Sequence, residues 1–135
     1  PYNAAAVTLK DDTGKLYFDS DTAVSGSVEI AEDTDTVLTQ ITGGEASLYT
    51  IARISCFHDP KVANSDVEGM GLKNTGGYVF YDGNNENWLD PSKEATKAYL
   101  SALAVECADL GFDEILLTAL TVPYTHLTLP TKRIA

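Results

Sequence analysis

Positive charge is in short supply in this chain: nine of its 135 residues are Lys or Arg against twenty Asp or Glu, a formal net charge of −11. The nine are scattered. Nucleic acids and anionic membrane surfaces are held by clustered cations that displace counterions, so no nucleic-acid partner is expected. Cysteine is scarce too. Cys56 and Cys107 stand far apart, with no CxxC and no further metal-type ligand beside either, and both read as small buried hydrophobes rather than a disulfide or redox pair. No apolar run approaches the roughly 18 residues of a membrane span, so no membrane insertion is expected of this segment. The N-terminus lacks the basic start, apolar stretch and small-residue cleavage site of a secretory leader, and no Asn-x-Ser/Thr acceptor occurs, which leaves no readable cellular address. What is present suffices for folding. With 44% apolar residues the composition is not that of a disordered chain, and the length fits one domain burying somewhat over about 60% of its unfolded surface.

Along the chain, Ala4 to Leu9 is an apolar run without alternation, the pattern of a parallel strand covered on both faces. It ends in the polar turn Lys10-Asp11-Asp12-Thr13-Gly14. Lys15 to Phe18 reads as a short, peripheral extended piece, residues 20–27 as loop, and Val28-Glu29-Ile30 as a minor strand. A helix is expected from Asp33 or Asp35, either of which can cap free backbone N–H groups, with Val37, Leu38 and Ile41 on one face and Gly43-Gly44 as its stop. Leu48 to Phe57 is the clearest strand. One face carries Thr50, Ala52, Ile54 and Cys56; the other carries Tyr49, Ile51, Arg53, Ser55 and Phe57. Residues 61–89, rich in Gly and Asn, read as a long insertion with a short strand at Tyr78 to Tyr81. Asp90 as cap and Pro91 in the first turn then open the strongest helix, with Ala95, Tyr99, Leu103, Cys107 and Leu110 on its stripe and Gly111 closing it. Ile115 to Leu120 is a third buried strand.

Strand, helix, strand, long loop, helix, strand is the order of βαβ units, and it predicts an α/β fold with a parallel sheet and outer helices. About three parallel strands are few for a closed barrel or a doubly wound sheet, so the chain reads as a segment of a larger α/β domain.

Four runs carry a resemblance. Ala6-Val7-Thr8-Leu9-Lys10-Asp11-Asp12-Thr13-Gly14, Tyr49-Thr50-Ile51-Ala52-Arg53-Ile54 followed by Phe57-His58-Asp59, Trp88-Leu89-Asp90-Pro91, and Leu110-Gly111-Phe112-Asp113-Glu114-Ile115 together resemble a bacterial family of glycoside-hydrolase-like proteins. That family is expected to form a (β/α)8 TIM-type barrel distantly similar to the alpha-amylase clan. The resemblance implies a domain more than twice this length, so residues 1–123 read as a partial barrel and its activity as glycosidic-bond hydrolysis in the intact parent. Residues 124–135 read as a non-native tail: Tyr124 to Arg133 resembles the translated adapter that recurs at broken ends of assembled sequences, the alternative being an ordinary terminal strand. Members of the family are often exported, which favours an extracytoplasmic or cell-surface site.

In such a barrel the chemistry sits where strands meet their following loops, here residues 8–12, 53–59 and 118–121. The family usually carries an Asp where this chain has Thr8 and an acid at or beside Thr118-Ala119. Glycosidic hydrolysis needs two carboxyl groups, so with both acids missing no catalytic residue is assigned, and the segment is expected to be inactive by itself. Asp11, Arg53, Asp59 and Trp88 are the expected contacts to a polysaccharide or oligosaccharide partner. Each also has a plain structural reading. Asp11 and Asp12 make a sound turn, Asp59-Pro60 starts one, Trp88 can pack its loop down, and Arg53, inside an apolar strand, needs a carboxylate partner that is either structural or substrate-positioning. Asp113 and Glu114, at a strand start, read as structural. His58 has no second ligand at metal spacing, and Gly69-x-Gly71 and Gly76-Gly77 lack the context of a phosphate loop, so no metal and no cofactor is expected. The other reading is a non-catalytic carbohydrate-binding or structural barrel domain.

Overall fold

The structure, a computed structural model, describes residues 4–21, 30–31, 38, 41–42, 48–122 and 133–134. It is an α/β fold. Strands β1 (Ala4–Lys10), β2 (Tyr49–Ser55) and β3 (Glu114–Thr118) form a parallel sheet in that spatial order, and a two-residue antiparallel strand, β4 (Arg133–Ile134), pairs with β3. Helices α1 (Pro60–Ser65) and α2 (Glu94–Asp109) lie in the connection from β2 to β3. β4 comes from the segment read as a tail. Its pairing uses the backbone groups of an edge strand, which accept a partner with little regard to side chains.

β2 shows the expected alternation from Tyr49 to Ile54, but Ser55 and Phe57, expected on the other face, are buried as well, Phe57 in the core. Thr50, Ala52, Ile54 and Cys56 are buried, and Ala52, Ile54 and Cys56 join Tyr99, Leu103 and Cys107 of α2 in one core, against which Val7, Ile115 and Leu117 pack. Burial pushes the Cys56 thiol up to about 11 and the Cys107 thiol up to about 12, so both are neutral at physiological pH and serve as packing groups. The opposite face of the sheet is different. Thr8, Ile51, Arg53, Leu116 and Thr118 are only half buried and stand outside that core.

Lys10 is the main surprise of β1. It belongs to the strand rather than to the turn, and it is 0% exposed. The register slips between Thr8, opposite Arg53, and Lys10, opposite Ile54. That extra residue moves Lys10 off the Thr8 face and aligns it with a core position. Its ammonium donates to Ser55 O at 2.6 Å and lies 3.1 Å from Asp59 Oδ2. Asp59 is also fully buried, and its Oδ1 accepts from Val62 N at 3.0 Å as the cap of α1, with Pro60 in the first turn. Gly14, at φ +92°, sits so close to this carboxylate that a Cβ would collide with it.

Several further expectations are corrected. The piece at residues 15–18 is not peripheral: Leu16 and Phe18 are in the core, and Leu16 bridges to both Lys10 and Ile30. Asp90 does not cap the long helix. Its carboxylate accepts from Ser92 N and Ser92 Oγ, and a turn precedes the start at Glu94. Lys93 fixes that start by donating to the carbonyls of Val67, Glu68 and Gly71. In consequence Thr96, not Ala95, heads the buried stripe, and Leu110 is partly exposed. The insertion at 61–89 contains α1, and Val79 makes only an isolated bridge to Lys73 in place of the expected short strand. The helix expected from Asp33 or Asp35 lies outside the described residues except for Leu38, Ile41 and Thr42; Leu38 is buried.

Removing one partner of a buried ion pair leaves an uncompensated charge. Lys10→Met is expected to lower unfolding free energy by about 3–5 kcal/mol in urea melts. Lys10→Met with Asp59→Asn, which keeps an acceptor for Val62 N, is expected to recover a substantial part of it. A single-variant loss below about 1 kcal/mol would show that the pair does not hold this region together.

Candidate functional site

The C-terminal ends of the three parallel strands form an open polar depression of about 290 Å³. Thr8 and Arg53, paired across β1 and β2, and Ser55 and Thr118, paired across β2 and β3, give it a hydroxyl-rich floor, and Asp11 and Asp12 form one rim. Arg53 donates from Nη1 to Thr8 Oγ1 at 3.0 Å. The carboxylate partner expected for it is missing: among the described residues no acid lies within ion-pair distance of Arg53, whose guanidinium is half buried on the open face, where partial exposure makes an unpaired charge less costly. Ser55 Oγ donates to Asp12 Oδ1 at 2.5 Å, and Thr118 Oγ1 to Ile54 O at 3.3 Å. Ala119, next to Thr118, has φ +53°, a conformation costing a non-glycine residue about 1 kcal/mol and held here by the ladder bonds of Cys56 N and Phe57 N to Thr118 O and Ala119 O.

Asp11 is bound into its own turn. One oxygen accepts from Thr13 N, Thr13 Oγ1 and Lys15 N, and the other from the Tyr17 hydroxyl. Partial burial alone raises its pKa, but the hydrogen bonds from Thr13, Tyr17 and Lys15 outweigh it and hold the carboxyl below the usual carboxylate range. Asp59 has no accessible surface and is committed to Lys10 and α1. Asp113 and Glu114 are structural at the other end of the sheet: Asp113 accepts from Thr50 N, and Glu114 accepts from the Tyr49 hydroxyl.

Trp88 lies in a second cluster, above the end of β2. Its indole stacks on the His58 ring with centroids 4.3 Å apart and planes 4° from parallel, and its Nε1 donates to Asp82 Oδ2 at 2.7 Å. His58 Nε2 is 3.1 Å from Glu86 Oε1. The structure therefore brings Asp11 and Arg53 into one depression, sets Trp88 beside His58, and buries Asp59 against Lys10. Sequence reading missed that Asp82 and Glu86 join His58. They are 24 and 28 residues away, with no regular spacing to reveal them; only the turn-forming Asp82-Gly83-Asn84 text offered a clue.

An α/β protein with a polar, hydroxyl-lined depression at its parallel strand ends is the architecture in which small polar ligands are bound outside the carboxyl edge of the sheet. Residues 1–126 match the family described as "putative glycosyl hydrolase domain", and the chain belongs to that family. It is also similar to the crystal structure of a hypothetical protein from Ruminiclostridium thermocellum ATCC 27405, with 28% identity and a TM-score of 0.77 over 96% of this chain and 68% of that one. No curated protein matches.

The lowered Asp11 pKa has a defined sign. Its contribution to stability is complete above the unfolded carboxylate pKa and is lost as pH falls through the lower folded value. Asp11→Ala is therefore expected to destabilise the fold by about 1 kcal/mol at pH 7, with the difference from the parent shrinking below about pH 4 in paired urea melts. A difference that grows on acidification contradicts this account.

Proposed function

We propose that the chain is part of a (β/α)8 barrel of a glycoside hydrolase acting on polysaccharide, and that the strand-end depression binds sugar. The observation that carries this reading is Arg53, a half-buried guanidinium without a carboxylate partner among the described residues, set between Thr8 and the Asp12 rim. Charged donors beside acceptors and hydroxyls are the groups that grip sugar hydroxyls, and each charge-assisted bond contributes more than a neutral one. Trp88, together with His58, supplies an aromatic surface at the same end of the sheet, suited to the apolar face of a sugar ring. Asp11 shapes the rim, while Asp59 takes part only as the support beneath the strand ends.

Hydrolysis requires an acid and a base or nucleophile about 5 to 9.5 Å apart. Asp11 and Asp12 are adjacent in the chain, and Asp11 is already saturated by its turn. In this reading the catalytic acids come from further strands of the barrel, and the segment binds without cleaving. Thr8 and Thr118, at positions where the resembled family has acids, favour a second reading in which the domain binds carbohydrate and performs no chemistry.

The test is calorimetric titration of the chain with a panel of soluble polysaccharides and their oligosaccharides, alongside an assay for released reducing ends. Saturable binding to at least one member is expected, weakened about 10- to 100-fold in Arg53→Met, with no turnover by the chain itself. The binding reading fails if no member of the panel binds, or if Arg53→Met binds as well as the parent.

A further inference from the structure

His58, Asp82 and Glu86 place three potential ligand atoms within 4.8 Å of one another. Two carboxylates at that separation repel, and among the described residues neither Asp82 nor Glu86 has a Lys or Arg within ion-pair distance; the His58 imidazole lies 3.1 Å from Glu86 Oε1. We propose that these three side chains form a binding site for one divalent first-row transition cation, with Zn²⁺ as its representative.

The spacing fits. Bonds of about 2.0 to 2.2 Å at tetrahedral angles put neighbouring donors roughly 3.3 to 3.6 Å apart, close to the His58–Glu86 separation and within a modest side-chain adjustment of the whole triad. The ligands are also held in place before a cation arrives. The His58 ring is fixed by its stack on Trp88. Asp82 Oδ2 accepts from the Trp88 indole, and its Oδ1 accepts from Asn84 N and Glu86 N, leaving lone pairs on the carboxylate for a metal. Such outer hydrogen bonds orient ligands in established metal sites. One imidazole nitrogen with two carboxylates selects a first-row transition cation over Ca²⁺, which takes six to eight oxygen ligands. Three protein ligands leave a fourth position for water, and the negative charge of the chain favours cation capture. A bound ion would tie the loop bearing Asp82, Glu86 and Trp88 to the end of β2.

The experiment is calorimetric titration of the EDTA-stripped full chain with Zn²⁺, followed by Co²⁺ as a visible-absorption probe of the same site. One Zn²⁺ per chain is expected, with a Kd on the order of micromolar or tighter, and Co²⁺ should give the intense bands of a four-coordinate ion that Zn²⁺ abolishes. His58→Phe keeps an aromatic ring against Trp88 but removes the nitrogen; Glu86→Gln keeps a hydrogen-bonding partner for His58 but removes the charge. Each is expected to weaken binding at least tenfold, with folding monitored by circular dichroism, whereas Glu68→Gln, at an exposed acid paired with Lys73, should leave affinity unchanged. Absence of saturable Zn²⁺ binding overturns the proposal. So does binding that is unchanged in both His58→Phe and Glu86→Gln, or binding that Ca²⁺ displaces at equal concentration.

Discussion

The buried contact between Lys10 and Asp59 is the constraint on which the strand ends depend. Two charges without accessible surface are each expensive alone, and together they are tolerable only when their remaining hydrogen-bonding capacity is met. Lys10 donates to Ser55 O at the end of β2, and Asp59 caps α1 through Oδ1 and Val62 N, its Oδ2 facing the ammonium as an ion-pair contact without a hydrogen bond. One pair therefore joins β1, β2 and the first helix of the following loop. Gly14 has no Cβ where the Asp59 carboxylate needs room. Such a pair specifies an arrangement more than it adds net stability, because any other packing would strand a charge.

The same pair explains why the depression has the shape it does. Without the register slip in β1, Lys10 would share the face of Thr8 and place its cation beside Arg53. With the slip, the lysine loses its accessible surface and forms part of the wall of the depression, and Arg53 is the half-buried cation of the open face. The floor then consists of hydroxyls from Thr8, Ser55 and Thr118, with Asp12 held against Ser55 at one edge. Hydroxyls, the Arg53 cation and the Asp11-Asp12 rim together make a surface for gripping polar ligands.

The sheet was legible in the sequence because its signals are local. The alternation in β2 sorts Ala52 and Ile54 inward and Arg53 outward, as observed, and Asp90-Pro91 and Asp59-Pro60 each mark a change of chain direction. Those two dipeptides also show where local reading ends. They are the same text with opposite outcomes: Asp59 caps a helix, whereas Asp90 closes a turn on Ser92. What separates them is tertiary. Lys10 meets the Asp59 carboxylate in the core, while Lys93 pins the residue before α2 to three carbonyls of another loop. The burial of Lys10 was illegible for the same reason, since Lys-Asp-Asp-Thr-Gly has the composition of an exposed turn and only a one-residue slip in pairing draws its lysine inside. The cluster of His58, Asp82 and Glu86 depends on a long loop folding back, which no spacing rule encodes.

Ile51 and Leu116 are apolar side chains of the open face, and each has a charged neighbour in register. In an open sheet with one solvated face, that face would be polar along its length. Here the face mixes apolar and charged side chains level by level, Ile51 paired with Glu114 and Leu116 with Arg53, before the polar pair Ser55 and Thr118 at the strand ends. In the barrel we propose, such a face would be interior, where side chains of alternate strands stack in layers and the chemistry is confined to the rim at which strands give way to loops. On that proposal the half-buried Ile51 and Leu116 would sit in layers completed by further strands. On the same proposal the reacting carboxylates would belong at the rim of further strands, where a sugar held by the Arg53 guanidinium would be presented to them.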